Sequence, residues 1–439
     1  MDKIPISSEL INELINKSGI SLPGTASIRE ITFLVNMIEK ATGIKFIRME
    51  MGVPGLPAPS TGIDAEIAAL KNGVAAVYPD ISGIPSLKEE TSRFIKLFLN
   101  LDVKPEGCIP TVGSLMGGMI SFLVANRNDR TKEGTLFIDP GFPVQKQQVK
   151  MLGHDYNSFD VYNYRGKKLK AKLESYMKTG KISSLLYSNP NNPAWICLTE
   201  EELSIIGELC RKYSVIVIED LAYFGMDFRK DYSVPGKPPF QPTVGHYTDN
   251  YILLISSSKI FSYAGQRIGM MAISDHLFNR SYPDLLRYYS SDKFGHSIIF
   301  GALYGLSAGV SHSAQFGLAA LLKAVNDGKY RYLDDVKEYG EKAAVMKNLF
   351  ASNGFKIVYD RDLDEPIADG FYFTISYPGM TGRELLEKLL HYGISAISLD
   401  ITGSERTEGL RACVSLIPRA QFSDLEIRLI QFSKDHPVA

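Results

Sequence analysis

The sequence predicts an α/β fold: a large domain with a mostly parallel sheet flanked by helices, and a smaller α+β domain. Three observations predict it. At 439 residues the chain exceeds the size at which a single hydrophobic core stops growing, so two structural domains are expected. Short apolar runs rich in Val, Ile, Leu and Tyr recur between about residues 135 and 256, without the alternation of a half-exposed strand. Segments of ten or more residues with helical spacing separate those runs, as crossover connections between parallel strands require.

The elements follow in chain order. Within residues 27–41, Ile28, Ile31, Phe33, Leu34, Met37 and Ile38 recur at helical spacing, and Gly43 supplies a stop. Residues 51–60 are too dense in Gly and Pro for a regular element and read as an extended crossover between domains. Residues 110–118 read as a strand-to-helix turn. Buried strands are expected at 135–138, 184–187, 215–218 and 252–256, with amphipathic helices at 142–151 and 199–212. The second helix opens on Thr199-Glu-Glu-Glu202, the Thr-x-x-Glu pattern of a capping box. After about Asp327 the pattern changes: a long charged helix over 330–350, strands at 355–359 and 369–376, a helix at 381–392 and a last strand at 410–416. The large domain is therefore placed at 60–326, and the small one at 1–59 and 327–439.

Composition narrows the function classes. Lys and Arg total 48 against 49 for Asp and Glu, a net charge of -1. Such a balance offers no broad field for nucleic acid or an anionic membrane. Four cysteines, at 108, 197, 210 and 413, lack CxxC spacing and read as reduced thiols of a cytoplasmic protein. No metal site is expected. The opening residues are polar and charged throughout, so no secretory signal is expected. The uncharged stretch at 297–310 is too short to span a bilayer.

Four segments carry chemistry. Ser256-Ser257-Ser258-Lys259 follows a buried strand and leads to Gly265, Arg267 and Gly269. Ligands bind beyond the carboxyl ends of strands in open α/β sheets. Here serine hydroxyls and a guanidinium fork suit a phosphate, beside an amine able to do Schiff-base chemistry. On composition alone the segment is equally a surface turn. Ser188-Asn-Pro-Asn-Asn192-Pro193-Ala-Trp195 is a rigid amide-bearing loop, or an ordinary Asn/Pro turn. In Val217-Ile-Glu-Asp220-Leu-Ala-Tyr223 an acid and a phenol end a strand, where acids also serve as helix caps. Pro110-Thr-Val-Gly113-Ser114-Leu115 would open a helix whose backbone donors suit a phosphate. Arg411, inside the last apolar strand, calls for an anionic partner: a ligand carboxylate or a structural ion pair.

Taken in order over about residues 28–416, these motifs resemble the class I/II aminotransferases, pyridoxal phosphate enzymes of fold type I related to aspartate aminotransferase. Every fixed position of that family's Ser-x-Ser-Lys…Gly-x-Arg-x-Gly signature is present. The resemblance implies a seven-stranded sheet in the large domain and pyridoxal phosphate bound to Lys259. It implies that Ser114, Leu115, Ser256, Ser258 and Arg267 seat the phosphate, and that Phe142 stacks on the ring. Asp220 would pair with the ring nitrogen, while Asn192 and Tyr223 would bond the ring oxygen. Tyr78 would reach the neighbouring subunit's cofactor, making the enzyme a homodimer with shared active sites. Arg411 would bind the substrate carboxylate, and Gly52 would belong to a loop packed over the substrate.

Two departures stand out. Ala194-Trp195 replaces the usual Thr-Gly, so a bulky ring is expected to narrow the substrate pocket, and Asp400-Ile401 alters a loop that is commonly Pro-Gly followed by an aromatic. The expected reaction is ping-pong transfer of an amino group between an amino acid and a 2-oxo acid. A lyase, synthase or decarboxylase would use the same Lys259, Asp220 and Arg267. A cofactor-binding regulatory protein is the alternative of another class, which the charge balance does not favour.

Overall fold

The computed structural model describes residues 4–132 and 134–438. The chain forms two compact units. One is built from Met1–Gly55, Asn192–Ile196 and Lys337–Ala439, the other from Leu56–Asn191 and Cys197–Val336. These edges fall at 55/56 and 336/337, against 59/60 and 326/327 read from sequence. The segment Asn192–Ile196 joins the first unit, which composition could not reveal.

The larger unit is organised by seven strands: β1 (Cys108–Thr111), β2 (Gly134–Asp139), β3 (Tyr156–Asp160), β4 (Ile182–Ser188), β5 (Ile216–Leu221), β6 (Tyr251–Ser256) and β7 (Gly269–Ile273). Their spatial order is β1-β7-β6-β5-β4-β2-β3. All neighbours are parallel except β7, which runs antiparallel to β1 and β6. Strands β1, β2, β5, β6 and β7 are buried along their whole length, the reason their sequences are continuous apolar runs. Only β3, at the sheet edge, mixes exposed and buried positions. The sequence reading missed β3 for that reason, and it missed β7 because its Gly269-Met-Met-Ala-Ile follows the lysine motif without a turn signal. Thr199 and Glu202 form the expected capping box at the start of the helix Glu200–Lys212.

The smaller unit carries a four-stranded antiparallel sheet ordered Ile397–Ser398, Leu410–Cys413, Tyr372–Ser376, Lys356–Ile357. Around it lie the helices Ile28–Thr42, Gly382–His391 and Phe422–Asp435. Ser27 caps the first of these and Gly43, at φ 74, ends it as the sequence predicts. The strand expected at 355–359 shrinks to Lys356–Ile357, because the Tyr359 amide donates to the Thr374 hydroxyl (3.0 Å) instead of continuing the ladder. Among the described residues, no helix is long and apolar enough to cross a membrane, and no group of three or more His, Cys, Asp or Glu residues could hold a metal ion.

Candidate active site

Within the larger unit the expected cofactor residues converge because of one strand register. Gly269 of β7 pairs with Thr111 of β1 on one side and with Ser256 of β6 on the other. The helix start at Gly113, the turn carrying Lys259 and the arginine at 267 therefore share one sheet edge. Two glycines permit the close approach. Gly113 has φ 67, and a Cβ there would lie 2.6 Å from Arg267 Nη2. A Cβ on Gly269 would lie 3.0 Å from the Ser114 amide nitrogen. Arg267 adopts φ 50, is exposed, and donates from Nη1 to the Ala264 carbonyl at 3.0 Å. No carboxylate pairs with it among the described residues. A guanidinium laid against the N-terminus of the 13-residue helix Gly113–Ala125 is a seat for an anion, and it fits the phosphate of the expected cofactor.

Lys259 lies in a single helical turn, Ser257–Ile260, directly after β6. The Ser256 hydroxyl accepts from the Ser258 amide (3.2 Å), and the buried Ser257 hydroxyl donates to the Ile268 carbonyl (2.6 Å). Ser257 thus ties the turn to the strand that follows, while Ser258 and Lys259 are half-buried.

Asp220 is the penultimate residue of β5, with its neighbour Leu221 opposite Ile255. Its Oδ1 accepts from the Ala222 amide at 3.1 Å and its Oδ2 from Gln145 Nε2 at 2.8 Å. Burial pushes the carboxyl up to about 6, against the opposing pull of those two hydrogen bonds. A buried acid without a cationic partner among the described residues fits a protonated ring nitrogen. Tyr223, also buried, lies in the tight turn that follows, closed by the Phe224 amide on the Leu221 carbonyl (3.1 Å). In the amide-bearing loop, Asn189 Oδ1 accepts from the Leu198 amide (3.1 Å) and Asn191 Nδ2 donates to the Pro140 carbonyl (2.7 Å). Asn192 is buried and belongs to the smaller unit.

One helix supplies residues the sequence reading missed. Phe142, half-buried, caps Pro143–Met151, where Gln145 reaches Asp220 and Gln148 Nε2 donates to the Leu115 carbonyl at 2.9 Å. Positions 142, 145 and 148 share a helix face. The available signal was a pair of glutamines at that spacing after an aromatic, on the side of the helix that should be apolar.

The smaller unit holds Arg411. It is 2 % exposed, and no carboxylate pairs with it among the described residues. Its Nη2 donates to the Glu50 backbone carbonyl, while its Nε has no hydrogen-bond partner. The Glu50 side chain is committed elsewhere, to Arg48 at 2.8 Å and the Ser395 hydroxyl at 2.6 Å. The structural ion pair left open for Arg411 is therefore not what the strand provides. Register explains its neighbour: Thr374 lies opposite Arg411, and Tyr372, two residues along, shares that face. The guanidinium carbon lies 4.9 Å from the Tyr372 ring centroid.

Around this pair stand the remaining expected residues. Gly52 is half-buried, and a Cβ there would overlap the Tyr372 hydroxyl. Trp195 is fully buried at φ 62, its ring edge-on to Tyr372 with centroids 6.2 Å apart. A Cβ on Gly370 would overlap the indole. Asp400, in the other departing loop, pairs with Arg383 at 2.6 Å. Tyr78, on the larger unit, is 90 % exposed.

Comparison with known proteins gives a consistent answer. Residues 45–423 match the family described as Aminotransferase class I and II. A probable aspartate aminotransferase of Methanocaldococcus jannaschii is 27 % identical over 326 residues, covering 69 % of this chain and 82 % of that one. The LL-diaminopimelate aminotransferase of Natranaerobius thermophilus is 24 % identical over 329 residues, covering 74 % and 76 %. Among solved structures, an aminotransferase from Mycobacterium tuberculosis superposes with a TM-score of 0.75 at 16 % identity, covering 93 % of this chain and 96 % of that one. An alanine aminotransferase from Pyrococcus furiosus does so with a TM-score of 0.74 at 20 % identity, covering 96 % and 99 %. At such identities the structures show a shared fold.

Proposed function

The chain belongs to the class I and II aminotransferases, pyridoxal phosphate-dependent enzymes of fold type I, and from that premise we propose that it moves an amino group between an L-amino acid and a 2-oxo acid in two half-reactions. One observation carries the reading: the buried Arg411 guanidinium has no carboxylate partner among the described residues. An uncompensated buried charge costs several kcal/mol, roughly, unless a ligand supplies the counter-charge. An α-carboxylate matches that planar fork.

The remaining roles are those that the family resemblance implies. Arg267 and the helix start at Gly113 hold the cofactor's phosphate, beside Ser114, Leu115, Ser256 and Ser258. Asp220 would keep a proton on the ring nitrogen, and Phe142 would support the ring plane. By the same resemblance, Asn192 and Tyr223 would each serve the ring oxygen. When bound, pyridoxal phosphate supplies an aldehyde carbon that takes the substrate nitrogen and a ring that accepts the electrons of the Cα–H bond. Lys259 Nζ takes the substrate Cα proton and later returns it, as general base and then acid.

The proposal includes a homodimer. Ile63, Ile67, Leu70, Val77, Tyr78 and Tyr304 are exposed apolar side chains on the larger unit, a surface composition that favours association. In such a dimer Tyr78 would reach the partner's phosphate.

The names of the relatives span aspartate, LL-diaminopimelate and alanine, so a screen of donors is the test. Amino acids are added singly to the holoenzyme while the cofactor's visible absorbance is followed, with Lys259→Ala as control. Loss of absorbance with stoichiometric 2-oxo acid, reversed by an acceptor 2-oxo acid, is expected. Elimination or decarboxylation products formed without an acceptor would overturn transfer in favour of lyase chemistry.

A further inference from the structure

We propose that Trp195 is a positioning residue for the carboxylate-binding arginine, acting through Tyr372. The inference rests on the reading of Arg411 as the substrate-carboxylate site and deepens it.

Four observations converge. Trp195 occupies the left-handed region at φ 62, which a bulky aromatic adopts at a cost and only when its surroundings hold it there. The surroundings are built for it: the position facing the indole is Gly370, where any Cβ would overlap the indole at Cε2 and Nε1. Beyond the indole stands Tyr372, ring edge to ring at 6.2 Å and 66°. Beyond Tyr372 stands the Arg411 guanidinium, 4.9 Å from the ring centroid. At its hydroxyl end the tyrosine fills the space that a Cβ at position 52 would need.

The physical consequence concerns the arginine. Its Nη2 is committed to the Glu50 carbonyl and the Tyr372 ring lies against the guanidinium. Those two contacts leave a guanidinium that no longer samples other rotamers when a carboxylate arrives. A planar fork gives its two parallel hydrogen bonds only if its plane is set in advance, and ordering a loose arginine would consume part of the binding energy. Tyr372 sets the plane, and the indole sets Tyr372. Without the indole, a void would open beside Tyr372, and the ring would be free to fall into it. Trp195 therefore acts on the group common to every amino acid and 2-oxo acid, the α-carboxylate, rather than on a side chain.

The test exploits the chain's single tryptophan. Propionate, a carboxylate with no amino group to react, is titrated into the holoenzyme while tryptophan emission is recorded, and its competition with the preferred amino acid is measured in parallel. The expected result is a saturable emission change in the wild type whose midpoint matches the inhibition constant. Gly370→Ala, whose methyl meets the indole first, is expected to weaken propionate binding about ten-fold and raise the amino-acid KM by a similar factor. Its kcat and cofactor absorbance should move much less. Trp195→Gly should behave alike, and Trp195→Phe should recover part of the loss. Inhibition by propionate without any emission change, or a folded Gly370→Ala holoenzyme that binds propionate as tightly as wild type, would overturn the proposal. If propionate binding obeys these expectations while no amino acid is converted, the transfer reaction fails and the positioning role stands.

Discussion

Gln145 Nε2 donates to Asp220 Oδ2 at 2.8 Å, inside the buried end of β5, and this bond is the one side-chain support of that acid among the described residues. The carboxyl is raised to about 6 chiefly by burial, and the amide is one of two donors resisting that rise. Gln145→Ala removes a donor from a buried acid, a loss of about 1–3 kcal/mol that also favours the protonated form. Cofactor affinity and kcat/KM should both fall by about ten-fold or more, with the loss largest below pH 6. Gln145→Asn, one methylene short, should not restore them. Cofactor titration and initial rates across pH 5–8 check this.

Arg411 offers a test in which stability and activity part. Its buried guanidinium lacks a counter-ion among the described residues, so it contributes strain in the ligand-free chain. Arg411→Met should unfold at the same or a higher temperature than wild type. Its kcat/KM for amino acids should fall by about 100-fold or more. Arg411→Lys keeps the charge but loses the fork, and should remain severely impaired. Thermal unfolding and steady-state kinetics on the same preparations separate the two effects.

The proposed phosphate seat would depend on the absence of a side chain at Gly113. Alanine there would strain the φ 67 backbone and set a methyl 2.6 Å from Arg267 Nη2. The two effects together should cost a few kcal/mol, roughly, and lower cofactor affinity by about ten-fold or more. Equilibrium dialysis against pyridoxal phosphate measures it, and secondary structure content should be unchanged.

Glu219, one residue before Asp220 and on the opposite face of β5, makes stability depend on pH. Burial pushes its carboxyl from 4.5 up to about 7, although Thr243 Oγ1 and the Val244 amide donate to it. The folded chain therefore holds a proton that the unfolded chain releases, so stability is full below about pH 4.5 and declines as pH rises through about 7. The contribution is at most roughly 3 kcal/mol. Glu219→Gln should lose less stability than wild type between pH 5 and pH 8 in denaturant unfolding, and an identical decline in both would refute the assignment.

Much of the fold was legible because burial on both faces leaves a plain mark. The runs in β2, β4, β5 and β6 were found for that reason, and β3 was not, since an edge strand with exposed positions lacks the mark. Helix ends were legible wherever a cap was chemical: Thr199 with Glu202, and Gly43 at a left-handed position. Strand lengths in the smaller unit were not, because side chains such as Thr374 intercept ladder donors.

For the site, the sequence by itself determined the residues whose type is dictated by chemistry: an amine at Lys259, an acid at Asp220, guanidinium groups at Arg267 and Arg411. Their order along the chain and their places at strand ends can be read without coordinates, since both are local properties. Only the tertiary structure decided what each of them touches. It gave Asp220 its glutamine, left Arg411 without an acid among the described residues, joined Asp400 to Arg383, and set Tyr372 against the arginine and Trp195 against Tyr372. Those contacts join residues from 17 to 361 positions apart in the chain. Periodicity and composition report on neighbours within a few residues, so partnerships fixed by strand register and by the space a missing Cβ leaves become visible only once the chain has folded.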